Sequence, residues 1–402
     1  YSAVFPHASD SGLDSGFPLA PAAGRATKQA RSWMFTGSFT QQEPFPEEAI
    51  SAAMEVLRHG RLHRYNVAGD EAGETALLER EFADQMGAKY CLAVASGGYA
   101  LATALRAVGV KHGDRVLTNA FSLAPVRGSI AAVGATPVYV DVTEDLTIDL
   151  EDLTAKADQA DVLMLSHMRG RLWDMDRLRA IWDAHDIQVI EDCAHTMGAR
   201  WNGRLSGTDG VIGCYSTQTY KHMNSGEGGL LITDDEEVAA RAIILSGSYM
   251  LYGRHLAAPG PEVFERVKYE TPNISGRMDN LRAAILRPQL RDLEVQVARW
   301  NERYREVETG VRGTPGLTVV ERPVAETYVG SSIQFLLLDW SADRVPDVLR
   351  RCAARGVELK WFGEPQPVAF TSRYASWRSA ETPSPPKSAR LLAGDAAVRV
   401  QL

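Results

Sequence analysis

Short apolar segments alternate with helical segments along the first part of this 402-residue chain, and this alternation most limits the possible folds. The apolar runs lie at residues 90–94, 115–118, 137–142, 162–166 and 188–190, and most are separated by segments with helical spacing of apolar residues. Such runs are typical of buried parallel strands, which need a helix or another long crossover to connect them. We therefore predict an α/β fold in which helices cover both faces of a mostly parallel sheet.

The rest of the chain is predicted to form a terminal arm and a second, smaller domain. Residues 1–33 are rich in Ser, Gly, Pro and Ala, so we expect a flexible N-terminal arm there. Residues 34–285 form the predicted large domain and residues 286–402 a small α+β C-terminal domain. A long helix over about residues 272–307 is expected to link the two, after a long loop at 246–272.

Composition argues against several kinds of partner. The chain has 43 basic and 51 acidic residues and a net charge of −8, so it offers no overall cationic field for nucleic acid or an anionic membrane. No run of about 18 apolar residues occurs, so no membrane span is predicted. The first residues also lack the cationic and then hydrophobic pattern of a secretory signal.

The four cysteines are scattered without CxxC spacing. The absence of CxxC spacing argues against a zinc site and against a disulfide framework, and scattered cysteines are typical of reduced thiols. We expect a soluble cytoplasmic protein without a bound metal.

A lysine in a polar, glycine-rich segment is the strongest candidate for chemistry. Lys221 follows Ser216 and Thr219 and precedes Gly226. Its amine can form a Schiff base if burial or a neighbouring cation lowers its pKa. The plainer interpretation is a solvated surface charge.

Asp192 ends the apolar run before that segment. Acidic residues at the carboxyl ends of parallel strands face the ligand crevice, and an aspartate there can keep a pyridinium nitrogen protonated. The plainer interpretation is a helix N-cap.

Gly97 and Gly98 stand between a predicted strand and a helix rich in Ala and Leu. Backbone amides can converge at such a helix N-terminus, where the helix dipole also favours an anion. The segment is therefore either a phosphate seat or simply a tight turn from strand to helix.

These residues belong to a series of motifs in a fixed order: Ser96-Gly97-Gly98, His167 with Gly170 and Asp174, Glu191-Asp192-Cys193-Ala194-His195, Ser216 with Lys221, Gly226-Glu227-Gly228-Gly229, and Asn273 with Arg277-Met278. The series resembles the DegT/DnrJ/StrS-type sugar aminotransferases, which are fold-type-I pyridoxal phosphate enzymes. The resemblance extends from about Phe35 to Leu290 and is weaker in the C-terminal domain.

The resemblance implies a role for each residue around the cofactor ring. Lys221 would hold pyridoxal phosphate as an internal aldimine and, once freed, move the proton during the reaction. Asp192 would pair with the pyridinium nitrogen. His195 would bond the 3-hydroxyl of the ring, and Ala194 would pack beneath it.

The resemblance also implies how the phosphate is held. Gly97, Gly98 and Ser216 would bind it within the chain. Asn273 would reach the phosphate of the neighbouring subunit, because sites of this family lie across a homodimer interface. A homodimer with shared active sites is therefore expected.

The function implied is transfer of an amino group from glutamate or glutamine to a keto-sugar or keto-cyclitol, with ping-pong kinetics. The alternatives are another pyridoxal phosphate reaction, such as elimination or dehydration, and a catalytically degenerate regulatory or scaffold relative. Dehydratases of the family carry histidine in place of the lysine, so Lys221 favours transamination.

The chain departs from the family pattern at two positions. Gly98 replaces the usual threonine, which removes a hydroxyl contact to the phosphate. Leu123 stands where the family usually has an aromatic ring above the cofactor, and Tyr99 is a candidate to replace that ring.

Other polar positions stay open. Arg169, Arg171 and Trp173 either reach an anionic group of the substrate or lie on the rim of the site. His167 is expected to be structural, and His222 to point away from the site.

Overall fold

The computed structural model describes residues 34–37, 42–143, 145–337, 340–361 and 398–401, the last segment by its backbone only. The predicted N-terminal arm, residues 1–33, lies outside the described residues.

The strands and helices follow one another as the alternation predicted. The strands are β1 (Tyr90–Val94), β2 (Arg115–Asn119), β3 (Thr136–Val140), β4 (Val162–Ser166), β5 (Gln188–Asp192), β6 (Arg200–Trp201), β7 (Arg204–Leu205), β8 (Ile212–Ser216), β9 (Gly229–Thr233), β10 (Thr318–Val319), β11 (Glu326–Thr327), β12 (Gln334–Leu337), β13 (Lys360–Trp361) and β14 (Val398–Gln401). The helices are α1 (Glu47–His59), α2 (Glu74–Met86), α3 (Gly97–Ala107), α4 (Ala124–Ala132), α5 (Leu150–Lys156), α6 (Met175–Ala184), α7 (Glu236–Leu245), α8 (Pro261–Val267), α9 (Asn280–Arg291), α10 (Leu293–Val311) and α11 (Val345–Ala353).

A seven-stranded sheet forms the centre of the molecule, in the order β1-β9-β8-β5-β4-β2-β3. β9 is antiparallel to both of its neighbours, and the other adjoining pairs are parallel. The prediction of a mostly parallel sheet is thus confirmed.

Both faces of this sheet are covered. Leu92 and Val94 of β1 pack into one apolar cluster with residues of α3, α4 and α7. Cys91 and Ala93 point to the other face and pack with residues of α2 and α9. Successive side chains of a strand alternate between faces, so β1 is apolar throughout because each face meets helices.

The spacing of apolar residues predicts two helices before β1 that end at Gly60 and Gly87, and both helices end at these glycines. α1 ends at Gly60 with φ 72° and α2 at Gly87 with φ 69°, the left-handed conformation that glycine adopts without steric cost. The sequence pattern predicts that the second of these helices begins at Leu77, whereas α2 begins at Glu74.

The predicted loop at 246–272 was wrong in part, because it contains α8. Pro261 occupies the first turn of α8, and Val263, Phe264 and Val267 are buried against the core. Their spacing places them on one face of a helix, so tertiary packing stabilises a segment that is otherwise short and polar.

The predicted helix at 272–307 was also wrong at its start and in its middle. Residues before Asp279 are extended, and Arg277 forms a bridge with Val94 of β1. The side chain of Asp279 accepts the amide of Arg282 at 2.9 Å and so begins α9. Asp292 then separates α9 from α10.

A second, antiparallel sheet has the strand order β10-β12-β14-β13. Tyr304 of α10, Val319, Phe335, Leu337 and Val345 of α11 form its apolar core. The sequence pattern predicts strands over 318–321 and 332–338 and a helix over 345–355, and all three are present with shorter bounds. The division of the chain at residue 286 stays a prediction; the residues around it lie within α9.

Among the described residues, no helix is both long enough and apolar enough to cross a bilayer.

Candidate active site

One edge of the large sheet gathers the polar ends of several strands. β1, β4, β5 and β8 run in the same direction and end at this edge, while the antiparallel β9 begins there. Ser166 pairs in register with Asp192, and both Val94 and Ser216 pair with Gly229. The predicted motifs at Ser96-Gly97, Asp192 and Ser216 are therefore brought together by strand register, as expected for an open α/β sheet.

The lysine segment forms a closed loop between β8 and β9. Thr217 donates its amide to Gly228 at 3.0 Å, and Ser225 donates its amide to Thr217 at 2.9 Å. The hydroxyl groups of Thr217 and Ser225 are also 2.9 Å apart. These bonds fix the loop that carries Lys221.

Lys221 is partly buried, and its Nζ lies 2.8 Å from Nε2 of His195. Burial and the positive charge of Arg169 lower its pKa to about 8, although the carboxylate of Asp192 opposes the shift. A substantial fraction of the amine is then neutral near physiological pH, as a nucleophilic lysine requires. The alternative of a solvated surface charge does not fit this position.

His195 occupies the turn that follows β5. Burial lowers its pKa well below the usual value, and the charges of Lys221 and Arg169 act in the same direction. The ring is therefore neutral at physiological pH and can accept a hydrogen bond from the ammonium form of Lys221.

Asp192 has partners for both of its carboxylate oxygens. The hydroxyl of Ser166 donates to Oδ2 at 2.8 Å, and the amide of Ala194 donates to Oδ1 at 3.2 Å. Turns rather than a helix follow β5, so the alternative of a helix N-cap does not apply. The carboxylate is held in place and faces the edge where Lys221 lies.

Ser166 was not predicted from the sequence as a site residue. Its signal is positional: a serine ends one parallel strand, and an aspartate ends the next. Since paired residues of neighbouring strands point to the same face, their side chains meet once the register is known.

The start of α3 approaches the end of β8 closely. A Cβ atom on Gly97 would lie 2.8 Å from Cβ of Ser216, so only glycine permits this approach. Ser96 caps the helix by accepting the amide of Tyr99 at 3.1 Å. The amides of Gly97 and Gly98, at the first helical positions, have no acceptor within the helix and are available to an anion.

The structure shows which atoms surround the two positions that depart from the family pattern. A Cβ atom on Gly98 would meet Cβ of Pro125 at 3.7 Å, an ordinary contact. Leu123 packs against the apolar cluster of Phe121, Val142, Leu146 and Met168. Tyr99 does not replace the missing aromatic ring, because its ring lies against Gly276 and its hydroxyl donates to the carbonyls of Leu245 and Ile274.

The three candidate residues of the 169–173 segment make different contacts. Arg171 donates to the carbonyl oxygens of Val320, at 3.3 Å, and of Glu321. Trp173 is buried in the core. Neither contact involves Lys221, so these two side chains are structural.

Arg169 has different surroundings from Arg171. Its side chain is buried, its backbone has φ 61°, and burial lowers its pKa to about 10. The charge of Arg169 lowers the pKa of Lys221, of His195 and of Lys360 in β13. The adjoining Gly170 lies against the carbonyl of His195, so Arg169 places a cation beside the lysine.

His167 is structural, as expected. Its Nε2 lies 2.8 Å from a carboxylate oxygen of Glu191, and both side chains are fully buried. Glu191 also accepts the amides of Gly207, Asp209 and Gly210. It alternates with Asp192 along β5 and so stabilises the opposite face of the sheet.

Asn273 is exposed, and its neighbour Ile274 donates its amide to Leu245. The contacts within this chain therefore do not bring Asn273 to Lys221. Its predicted role concerns a neighbouring subunit and stays a prediction.

Comparison with known proteins identifies relatives. The model of the DegT/DnrJ/EryC1/StrS aminotransferase family matches residues 46–394. The chain is 33% identical to an L-glutamine:2-deoxy-scyllo-inosose aminotransferase from Streptomyces lividus, over 65% of this chain and 63% of that protein. It is 30% identical to a UDP-2-acetamido-2-deoxy-3-oxo-D-glucuronate aminotransferase from Pseudomonas aeruginosa, over 72% and 77%.

The fold resembles that of S. venezuelae DesV, which was crystallised in complex with a ketimine intermediate, with a TM-score of 0.72 and 26% identity over 89% of this chain and 88% of that one. The predicted fold class is thereby confirmed. For three of the curated relatives the match spans 40%, 66% and 63% of the relative's own length, less than two thirds in each case.

The family model covers most of the chain, and the motif residues Gly97, Asp192 and Ser216 lie at the same edge of the sheet. The chain belongs to the DegT/DnrJ/EryC1/StrS aminotransferase family.

Proposed function

We propose that this protein is a pyridoxal phosphate-dependent aminotransferase that moves an amino group from glutamine or glutamate to the ketone of a sugar or cyclitol. The observation that carries the proposal is Lys221, whose pKa is lowered to about 8 and whose amine contacts His195. The names of the relatives above support both the donor and the class of acceptor.

The described residues fit the cofactor. The approach of Gly97 to Ser216 leaves no room for a side chain at the start of α3, and amides at that helix end are available to a phosphate. Asp192 supplies a carboxylate that two neighbours hold in place. The cofactor, when bound, supplies an electron sink that stabilises negative charge at the reacting carbon of the substrate.

Each residue then has a chemical task. Lys221 would hold the cofactor through Nζ and, as a free amine, carry a proton to and from the substrate. Asp192 would balance the positive charge of a protonated ring nitrogen. His195 would hydrogen-bond the ring hydroxyl, with Ala194 beside it.

The phosphate would be held by Gly97, Gly98 and Ser216. Arg169 is suited to the α-carboxylate of the donor, because its cation lies close to Lys221 and hence to the carbon that reacts there.

We also propose that the protein acts as a homodimer, with Asn273 reaching the partner's phosphate. Tyr249, Met250 and Leu251 expose large apolar surfaces, and Ile274 beside Asn273 is exposed as well. Exposed apolar side chains of this kind are typical of a protein interface.

The test is the near-ultraviolet and visible absorbance of the purified protein with pyridoxal phosphate, before and after glutamine or glutamate is added. We expect a cofactor band that shifts to shorter wavelength with the donor. Lys221→Ala should bind no cofactor covalently and should lose the band. A Lys221→Ala variant with normal turnover would refute the proposal.

Product analysis separates this proposal from the alternatives. Transamination converts the donor to its 2-oxo acid and a keto-cyclitol to an amine in equal amounts. Release of water or ammonia without an aminated acceptor would show elimination or dehydration instead. A spectrum that pyridoxal phosphate does not change would favour a regulatory or scaffold role.

A further inference from the structure

A pocket opens beside Lys221, where the loop between β8 and β9 meets the first turns of α10. Lys221, His222, Asn224, Gln296 and Trp300 line it, together with the segment that precedes α1. Lys221, at which the proposed reaction takes place, is thus one of the residues that line the pocket.

The imidazole of His222 is buried in the wall of this pocket. Its side chain is 8% exposed and packs edge-on against Trp300, with 5.3 Å between the ring centroids. Within the described part of the chain, neither of its ring nitrogens has a hydrogen-bond partner. Both ring nitrogens are shielded from solvent. A buried polar group without a partner costs about 1–3 kcal/mol, so a ligand group that displaces the atoms covering a nitrogen and bonds to it would recover part of that energy.

The charge state of His222 limits what the ligand can be. Burial and the charge of Lys221 lower its pKa to about 3, so the ring is neutral at physiological pH. A neutral imidazole offers one donor and one acceptor, which complements hydroxyl groups, since a hydroxyl both donates and accepts. It has no charge to attract a carboxylate. The indole of Trp300 in the same pocket adds an apolar surface on which the C–H face of a saturated ring can pack.

We propose that His222 and Trp300 bind the ring of the amino acceptor, and that His222 determines specificity by hydrogen bonding to its hydroxyl groups. This inference rests on the proposed function, because it takes the acceptor to be a hydroxylated ring. The donor carries no hydroxylated ring, so a substitution of His222 is expected to affect the half-reaction with the acceptor more than the half-reaction with the donor.

The first test requires no turnover. Saturation-transfer NMR measures the binding of myo-inositol, a cyclitol without a ketone, to the cofactor-loaded protein. We expect His222→Phe, which keeps the ring and removes both nitrogens, to weaken binding about tenfold or more. His222→Asn should restore part of it, and His185→Phe, at the end of α6 near Asp158, should match the wild type.

The second test measures each half-reaction separately by cofactor absorbance. In His222→Phe the reaction with glutamine should stay within about twofold of wild type, while the acceptor concentration needed for half-maximal rate rises about tenfold. Equal loss in both half-reactions would show that the substitution only disturbs the lysine loop and would overturn the inference. Wild-type behaviour in both, or equal binding of myo-inositol by all variants, would overturn it too.

The failures of the two proposals are distinguishable. A protein that binds myo-inositol through His222 but aminates no keto-sugar or keto-cyclitol would contradict the proposed function and support the pocket. A protein that transaminates such acceptors, and in which His222→Phe has no effect, would support the proposed function and contradict the role of His222 in the pocket.

Discussion

At the scale of a single residue, Gly98 leaves room that a larger side chain can fill. Its Cβ would only touch Pro125, so Gly98→Thr should fit and add a hydroxyl that donates to the cofactor phosphate. We expect the Kd for pyridoxal phosphate, measured by titration, to fall about threefold to tenfold. Gly97→Ala is the matched control with the opposite expected effect. Its Cβ would collide with Ser216, so this variant should bind pyridoxal phosphate more weakly. An unchanged or higher Kd in Gly98→Thr would show that this position does not face the phosphate.

A second prediction at the residue scale concerns Arg169. Arg169→Met keeps the length of the side chain but removes the charge, so the KM for glutamine should rise about tenfold to a hundredfold through loss of a charged hydrogen bond. The Arg169 cation also disfavours the protonated form of Lys221. Its removal should therefore raise the lysine pKa above about 8 and move the pH midpoint for covalent cofactor binding upward.

The control for this prediction is Arg171→Met. The Arg171 guanidinium binds carbonyl oxygens of Val320 and Glu321, so this variant should lose stability but keep the KM and the pH midpoint. If Arg169→Met left both the KM and the midpoint unchanged, Arg169 would not lie at the donor site.

At the scale of secondary-structure elements, a buried ion pair and its hydrogen bonds join four segments of the large domain. Arg64 binds both carboxylate oxygens of Glu79 in α2, at 2.8 and 2.7 Å. Glu79 also accepts the amide of Ala93 in β1 and contacts His255 at 3.2 Å. Glu79→Ala should lower the free energy of unfolding by about 3–5 kcal/mol, because it leaves a buried arginine without its counter-ion.

The same carboxylate should make stability depend on pH. Burial alone would raise the pKa of Glu79, but the charges and hydrogen bonds of Arg64 and His255 together outweigh burial and lower the pKa to about 2. The stabilisation is thus complete above the unfolded pKa near 4.5 and is lost as the pH falls toward 2. Denaturant unfolding of wild type and Glu79→Gln across this range checks the sign; equal pH profiles would contradict it.

At the scale of the whole molecule, the exposed loop after α7 bears on assembly. Tyr249 and Met250 have φ of 50° and 65°, and Met250 is 61% exposed. Arg277 lies over the ring of Tyr249 at 4.8 Å and connects the loop to the segment of Asn273. A strained, apolar and exposed loop is expected to pack against a partner.

We therefore predict that Met250→Glu dissociates the proposed homodimer and weakens cofactor binding, because the contribution proposed for the partner to the phosphate is lost. Analytical ultracentrifugation with cofactor titration measures both effects. Val295→Glu on α10, where the side chain is 62% exposed, is the control and should stay dimeric. A wild-type protein that sediments as a monomer would refute the shared site.

Much of this protein could be predicted from its sequence because the relevant signals are local. Apolar runs and helix-ending glycines fixed the order of strands and helices, and the motifs around Asp192, Lys221 and Gly97 marked the edge where the site forms. The errors fell where local signals compete with packing. α8 forms because Phe264 and its neighbours find the core, and the extended segment before Asp279 pairs with β1 instead of continuing a helix.

By itself, then, the sequence determined the fold class and the residues able to carry the chemistry, since periodicity and motif order depend on neighbours along the chain. The tertiary structure alone decided that Ser166 holds Asp192, that Arg169 lies beside Lys221, and that His222 meets Trp300. These contacts join segments that are distant in sequence. The pKa of Lys221 and the hydrogen bonding of His222 depend on burial and on charges brought close by folding, which no local pattern records.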